Sequence, residues 1–168
     1  QIFYGVVITR VSTVRQDVFG DSPEDQLNQI ELTRKRIEFE YGSKVNIIKT
    51  FEFAESASVD LVFQPVQKVL DFIRQSKIPI RFALILCIDR FTRAGAVVYS
   101  QLKSEFIKLG VILIDARGVI STKEVNTLEY LGAKFWWSIT NPNAKSELLE
   151  AESGKEEVSR IQTRMIGA

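Results

Sequence analysis

Apolar residues along this chain fall into short runs separated by longer stretches of helical period. Ile2 to Thr9 (IFYGVVIT) is a β-rich apolar run with the length of a buried strand. Pro23 to Tyr41 reads as a helix: Ser22 is placed to cap it, Pro23 falls at its first position, and Glu24 and Asp25 fill the first turn, where the helix dipole favours acids. Leu27, Ile30, Leu32, Ile37 and Phe39 are expected to form its buried stripe, with Gly42 stopping it. Val45 to Phe51 predicts a second strand. Val66 to Ile73 predicts a second helix, ended ahead of Ile78-Pro79 because the residue before a proline disfavours helical backbone. Phe82 to Ile88 (FALILCI) is the most apolar run and predicts a central strand buried on both faces. Gly95 to Leu109 predicts a third helix closed by Gly110, and Val111 to Asp115 a fourth strand.

Strands that alternate with helices imply parallel pairing through right-handed crossovers. The expected fold class is therefore α/β, a predominantly parallel sheet with helices on both faces, followed by a C-terminal helix. From Lys123 onward the pattern turns polar and is expected to be helical, interrupted near Asn141-Pro142-Asn143, with Lys145 to Ile166 as one helix. This divides the chain into an α/β domain over 1–143 and the start of a long helix over 144–168. Phe135-Trp136-Trp137 suits a subunit interface and ordinary core packing equally.

Composition removes several chemistries. The 168 residues, 45% of them hydrophobic, suit one domain with its own core. There is no histidine, so no Ser-His-Asp triad, zincin motif, facial iron triad or imidazole base can be built. A single cysteine rules out a disulfide framework and any multi-thiolate metal site, and Cys87 falls in the apolar central run, where it packs as a small hydrophobe. No P-loop and no G-x-G-x-x-G fingerprint occurs. No apolar run has membrane-spanning length and no signal peptide opens the chain, so a cytoplasmic location is expected. Because the chain begins at Gln1, it is read as a piece of a longer protein with further domains. A net charge of +1 does not announce nucleic acid, although an enzyme whose main grip lies in another domain would look the same.

Ligands of open α/β sheets gather beyond the carboxyl ends of the strands. Arg10-Val11-Ser12-Thr13-Val14-Arg15-Gln16 follows the first strand, and Asp89-Arg90-Phe91-Thr92-Arg93 follows the central one. Both loops carry arginines, whose planar forks suit phosphate, and Ser12 adds a hydroxyl. Arginine and serine are common in surface loops, so either loop alone says little. Together, at one expected edge, they suggest a phosphate site with a candidate nucleophile.

At these residues the sequence resembles the serine site-specific recombinases: resolvases, invertases and large serine integrases. Ile8-Thr9-Arg10-Val11-Ser12-Thr13 with Gln16, then Gly20-Asp21-Ser22-Pro23-Glu24-Asp25-Gln26, is similar to the family's opening R-V-S-T and S-x-x-x-Q segments. Asp89-Arg90-Phe91-Thr92-Arg93 resembles its D-R-L-x-R motif, and Gly118-Val119-Ile120-Ser121-Thr122 its G-I-x-T segment. The resemblance covers about the first 122 residues in matching order.

The resemblance implies a metal-independent phosphoryl-transfer enzyme that cuts and rejoins double-stranded DNA through a 5′-phosphoserine intermediate. Ser12 matches the nucleophile, and Arg10, Arg90 and Arg93 match arginines on the scissile phosphate. Asp89 matches the acid beside them, suited either to act as a base or to orient an arginine. Gln16 and Gln26 match supporting polar groups. The resemblance also implies no metal and no small-molecule cofactor, and with no apolar run of membrane-spanning length no membrane partner is expected. It implies dimers and tetramers assembled on DNA, nucleoid association when bound, and a helix from residue 144 that dimerises and reaches over DNA. DNA-recognition domains are expected after residue 168. The long Gly20-Asp21-Ser22-Pro23 loop points toward an integrase- or transposase-like member.

Two departures weaken the expected phosphate pocket. The family's arginine after its second strand has no counterpart, since no arginine lies between Lys49 and Arg74, and Phe53 stands about where an acid is usual. The Glu-Arg pair of the long helix aligns with Glu157-Val158. Arg15, Arg81 or Arg160 are the candidates to supply the missing charge. The alternative is a catalytically weakened module that retains the fold for assembly on DNA.

Overall fold

The computed structural model describes residues 1–11, 23–54, 63–92, 95–120, 125–153 and 163. Four parallel strands form the main sheet: β1 (Ile2–Val11), β2 (Lys44–Ala54), β3 (Ile80–Ile85) and β4 (Ile112–Asp115), in the spatial order β2-β1-β3-β4. The helices α1 (Pro23–Tyr41), α2 (Phe63–Gln75), α3 (Ile88–Phe91) and α4 (Ala96–Lys108) connect or follow them. The predicted fold class, a parallel sheet between helical layers, is what the chain adopts.

The strand alternation sorts the core onto two faces. Val7, Val45, Phe82, Leu84 and Ile114 point to one side, where Ile30 and Ile37 of α1 cover them. Val6, Ile8, Ala83, Ile85 and Leu113 point to the other, against Val69 and Leu70 of α2 and Tyr99, Leu102 and Phe106 of α4. β3 from Phe82 onward is therefore buried on both faces, as its unbroken apolar run predicts. β1 and β3 approach closely at Gly5, where a Cβ would lie 3.2 Å from the Phe82 carbonyl oxygen. The pairing register shifts at this point.

Four expectations are corrected. First, α1 runs over the predicted residues, but its buried row is Ile30, Thr33 and Ile37; Leu27, Leu32 and Phe39 face outward, Phe39 at 92% exposure. The sheet offers α1 one narrow apolar strip, and positions three and four apart occupy it. Second, β3 begins at Ile80 and ends at Ile85, and Ile88 already belongs to α3. The apolar run continues because α3 is also anchored in the core, by buried Ile88 and Phe91.

Third, residues 125–140 are not helical. They form an antiparallel pair, β5 (Val125–Asn126) with β6 (Ile139–Thr140), joined by a loop containing two 3₁₀ turns. Asn126 and Ser138 bind backbone groups of this loop, and Gly132 takes a left-handed conformation, so local polar side chains outcompete the helix. Fourth, Phe135, Trp136 and Trp137 are exposed, which excludes core packing for them.

A fifth helix, α5, covers residues 144–153. It docks on α4 through carboxylates. Glu147, almost fully buried, accepts the Tyr99 hydroxyl at 2.7 Å and the Lys103 ammonium at 2.5 Å. Ala151 joins the core beside them. Burial, with the Glu147 hydrogen bond second, pushes the Tyr99 phenol well above its ordinary range. Glu147→Ala is expected to destabilise the fold by about 1–3 kcal/mol, because it leaves the Tyr99 hydroxyl buried without its acceptor. Urea titration of both proteins checks this, and an unchanged midpoint would contradict it.

Candidate active site

The carboxyl ends of all four parallel strands lie at one edge of the sheet. The chain leaves β1 toward β2 on one side and leaves β3 toward β4 on the other, so the two central strands feed connections in opposite directions. In sheets of this kind ligands bind at such a switch point, outside the carboxyl ends of β1 and β3. Both candidate motifs start there. Arg10 is the penultimate residue of β1, and Ser12 follows immediately on Val11. Asp89 and Arg90 occupy the middle of α3, four and five residues beyond the end of β3.

Packing brings the two motifs together. Ile8 pairs with Ile85, so the last residues of β1 extend past the end of β3 to the level of the α3 entry. There α3 packs on β1. Arg10 continues the row of Val6 and Ile8, which faces α2 and α4, and is half-buried. The single turn of α3 closes through Phe91 N–H on Cys87 O (3.1 Å) and Thr92 N–H on Ile88 O (2.9 Å). Phe91 packs edge-to-face on Tyr99 at 6.5 Å and against Phe106 at 6.1 Å. The backbone carrying Asp89 and Arg90 is thus held between two buried anchors. Such fixed placement is what a site needs if its donors are to meet a phosphate without reorganising.

The other expected site residues divide clearly. Gln26 lies in the first turn of α1 and is half-buried. Ser12, Arg15, Gln16, Arg93 and Arg160 lie outside the described residues, as do Ser22, Ser121 and Thr122. Arg81 is near the start of β3, at the amino edge of the sheet, where it lines a cavity with Gln1, Ile2 and Pro79. It is therefore at the wrong end of the strand to replace a missing arginine of the site. Phe53 is the register partner of Arg10 on β2 and stacks on Phe51 at 6.2 Å, so an aromatic ring stands beside Arg10 where the family pattern has an acid.

Two acidic residues at this edge escaped the sequence reading. The Glu152 carboxylate of α5 accepts the Ala96 N–H at 3.1 Å and so caps the start of α4, three residues after Arg93 in the sequence. Glu152 sits among several acids in Ser146 to Glu152, and nothing in that stretch marks one as a cap. Asp115, at the end of β4, is fully buried and binds the N–H groups of Val119 (3.2 Å) and Ile120 (3.0 Å). Burial raises its pKa, and those two hydrogen bonds oppose the shift. Gly118 in the same turn has a positive φ, and a Cβ there would lie 3.2 Å from the Arg36 guanidinium, which binds the Asp115 carbonyl. Asp115 therefore shapes the turn that carries the chain toward Ser121.

Among the described residues no three histidine, cysteine, aspartate or glutamate side chains gather as a metal site would need, and no helix is long and apolar enough to cross a membrane.

No protein-family model matches the chain, and no curated protein matches it. Solved structures do. A resolvase family site-specific recombinase from Streptococcus pneumoniae aligns over 97% of this chain and 94% of its own, with a TM-score of 0.53 and 24% identity. The N-terminal catalytic domain of TP901-1 integrase aligns over 68% of this chain and 78% of its own, with a TM-score of 0.50 and 22% identity. The chain thus has the resolvase-like α/β fold that its motifs suggest.

Proposed function

We propose that the chain is the catalytic part of a serine recombinase, which cleaves and rejoins double-stranded DNA through a 5′-phosphoserine at Ser12. The observation that carries this reading is the convergence of the two motifs. Arg10 and the step into Ser12 leave β1 where α3, bearing Asp89 and Arg90, packs against it.

In the reaction, Ser12 Oγ attacks a backbone phosphorus. The new Oγ–P bond replaces the bond from phosphorus to the 3′ oxygen. The serine gives up its proton, and the departing 3′ oxygen takes one. Rejoining runs the same exchange backwards from a 3′ hydroxyl, so no external energy source is needed. A serine hydroxyl is a weak nucleophile at neutral pH. With no histidine in the chain, Arg10, Arg90 and Arg93 supply the electrostatic stabilisation of the crowded, highly charged phosphorus centre. Gln16 and Gln26 support the loop, with Arg15 and Arg160 as further phosphate contacts. Asp89 orients an arginine or takes the serine proton. The step uses no metal and no cofactor.

The near-neutral charge of this piece suits a division of labour, with chemistry here and DNA affinity supplied elsewhere in the protein. Residues 1–143 form the catalytic unit in this reading, and the helix from 144 starts the dimerisation and DNA-linking helix.

Arg90→Ala and Arg93→Ala test the reading in the full-length protein on DNA that it binds. Each is expected to slow cleavage about 10²–10³-fold, the usual loss for a deleted transition-state donor, with a smaller change in DNA affinity. Near-normal cleavage by both variants would contradict the phosphate pocket. A second reading, a weakened module that only assembles on DNA, is favoured by Phe53 beside Arg10 and by the absence of arginine between Lys49 and Arg74. It predicts binding and assembly without cleavage by the unaltered protein.

A further inference from the structure

α4 starts without a cap of its own. Its N-cap position is Gly95, which is buried and has a φ of 100°. That backbone conformation selects glycine, and glycine has no side chain to bind the free N–H groups of the first turn. Serine, threonine, aspartate or asparagine fills this place in most helices. Here the acceptor comes from 56 residues further along the chain, where the Glu152 carboxylate takes the Ala96 N–H at 3.1 Å. The helix dipole also favours a negative charge at this end.

The capped turn borders the candidate site. Thr92, fully buried, ends α3 with its N–H on Ile88 O at 2.9 Å. Two residues, Arg93 and Ala94, separate it from Gly95. The α3 side of this link is held in the core by Phe91 and Thr92. On the α4 side the first buried side chain is Tyr99, a turn further in. Helix ends open at small cost, and the first turn is the part that frays. The bond from Glu152 closes that turn.

We infer that Glu152 is a positioning residue for the DNA reaction: by closing the first turn of α4 it fixes the point where the chain leaves the Arg93 link, and so the place from which that guanidinium meets the phosphate. This rests on the recombinase reading, in which Arg93 is a phosphate contact. Glu152 itself touches no substrate and acts through the backbone. α5 suits the role because it is fixed at other points. Glu147 holds the Tyr99 hydroxyl and the Lys103 ammonium, and Ala151 is buried in the core. Asn143, just ahead of the helix, donates from Nδ2 to the Val119 carbonyl at 3.0 Å, and Glu150 lies 3.7 Å from the Arg117 guanidinium. One helix thus braces the start of α4 and the turn after β4 that leads toward Ser121. Glu147 and Glu150 are committed to these other partners, so neither replaces Glu152 at Ala96.

A double-mutant cycle on the full-length protein, with DNA that it binds, tests the assignment. The rate of covalent protein–DNA conjugate formation is followed against DNA concentration, well below every thermal midpoint. The proteins are the parent, Glu152→Ala, Glu152→Gln, Arg93→Ala and the double variant Arg93→Ala, Glu152→Ala. Glu152→Ala is expected to lower the rate at saturating DNA about 10–100-fold, the scale of a misplaced contact, with the half-saturating DNA concentration unchanged. A loss of stability alone would leave that rate untouched. Glu152→Gln keeps an oxygen to accept the Ala96 N–H and should recover most of the rate. In the Arg93→Ala background, losing Glu152 should cost nothing further, because both changes remove the same contact. Losses that multiply would overturn the proposal by separating Glu152 from Arg93. So would a parental rate for Glu152→Ala, or a Glu152→Gln rate as low as that of Glu152→Ala. In each of these three results the parent still cleaves, and the recombinase reading stands. A parent that binds and synapses DNA without forming a conjugate would remove that reading, and the role of Glu152 with it.

Discussion

Ser12→Ala is expected to abolish strand cleavage and rejoining while leaving the fold and DNA affinity unchanged. In the proposed reaction the Ser12 oxygen is the atom that forms the covalent bond to phosphorus. In that reaction the arginines stabilise charge but cannot replace that bond. Deleting a nucleophile from a hydrolase costs on the order of 10⁶ in kcat, about 8 kcal/mol of barrier. A recombinase should lose more in practice, because its product strands are held only through the serine link. The substitution removes one oxygen just beyond β1, whose own hydrogen-bonded pairing with β2 and β3 is made by backbone groups. Thermal melting and DNA binding should therefore match the parent. Cleavage near the parental rate would remove Ser12 from the mechanism.

The largest effect on stability is expected from Phe82→Ala, at about 3–5 kcal/mol, a large part of the 5–15 kcal/mol that holds a typical domain. Phe82 is fully buried on the α1 side of the central strand. Its ring meets Phe3 at 5.8 Å and Tyr41 at 5.2 Å, both edge-on, and those two rings meet each other at 6.3 Å. Removing it opens a cavity between β1, β3 and the end of α1. The backbone gives little room for collapse, because Gly5 already lies close against the Phe82 carbonyl. A urea midpoint showing a loss below about 1 kcal/mol would contradict this account of the core.

The sheet was legible because its strands are short, apolar and separated by helical period. β1 and α1 lie almost where the pattern puts them, and the carboxyl-edge rule led to the edge where α3 packs on β1. The errors have a common physical origin: each required knowing what lies opposite. Leu32 and Phe39 have the hydrophobicity of core residues, but α1 meets only one strip of sheet, and Ile30 and Ile37 fill it. Glu147 and Glu152 look like solvated charges in an acidic helix. Only the arrival of α5 on α4 gives them Tyr99, Lys103 and the Ala96 N–H as partners. The segment 125–140 contains good helix formers, yet Asn126 and Ser138 bind its backbone from within. Arg81 was offered as a substitute for a missing arginine on charge alone, and its position on β3 places it at the opposite edge of the sheet.

For the site, motif spacing singled out Arg10, Ser12, Asp89, Arg90 and Arg93 from two segments far apart in the chain, and their chemistry stands as the proposal. Topology adds the shared edge and the anchoring of α3.

The most direct measurement incubates the full-length protein with DNA carrying its element ends or attachment site, in the presence of a metal chelator. The reaction is stopped with denaturant, digested with protease, and the DNA-linked peptide is identified. The account predicts a denaturation-resistant conjugate at a 5′ phosphate, joined through Ser12, formed without metal and absent from Ser12→Ala. A conjugate through another residue, or none on DNA that the protein binds and synapses, would contradict it.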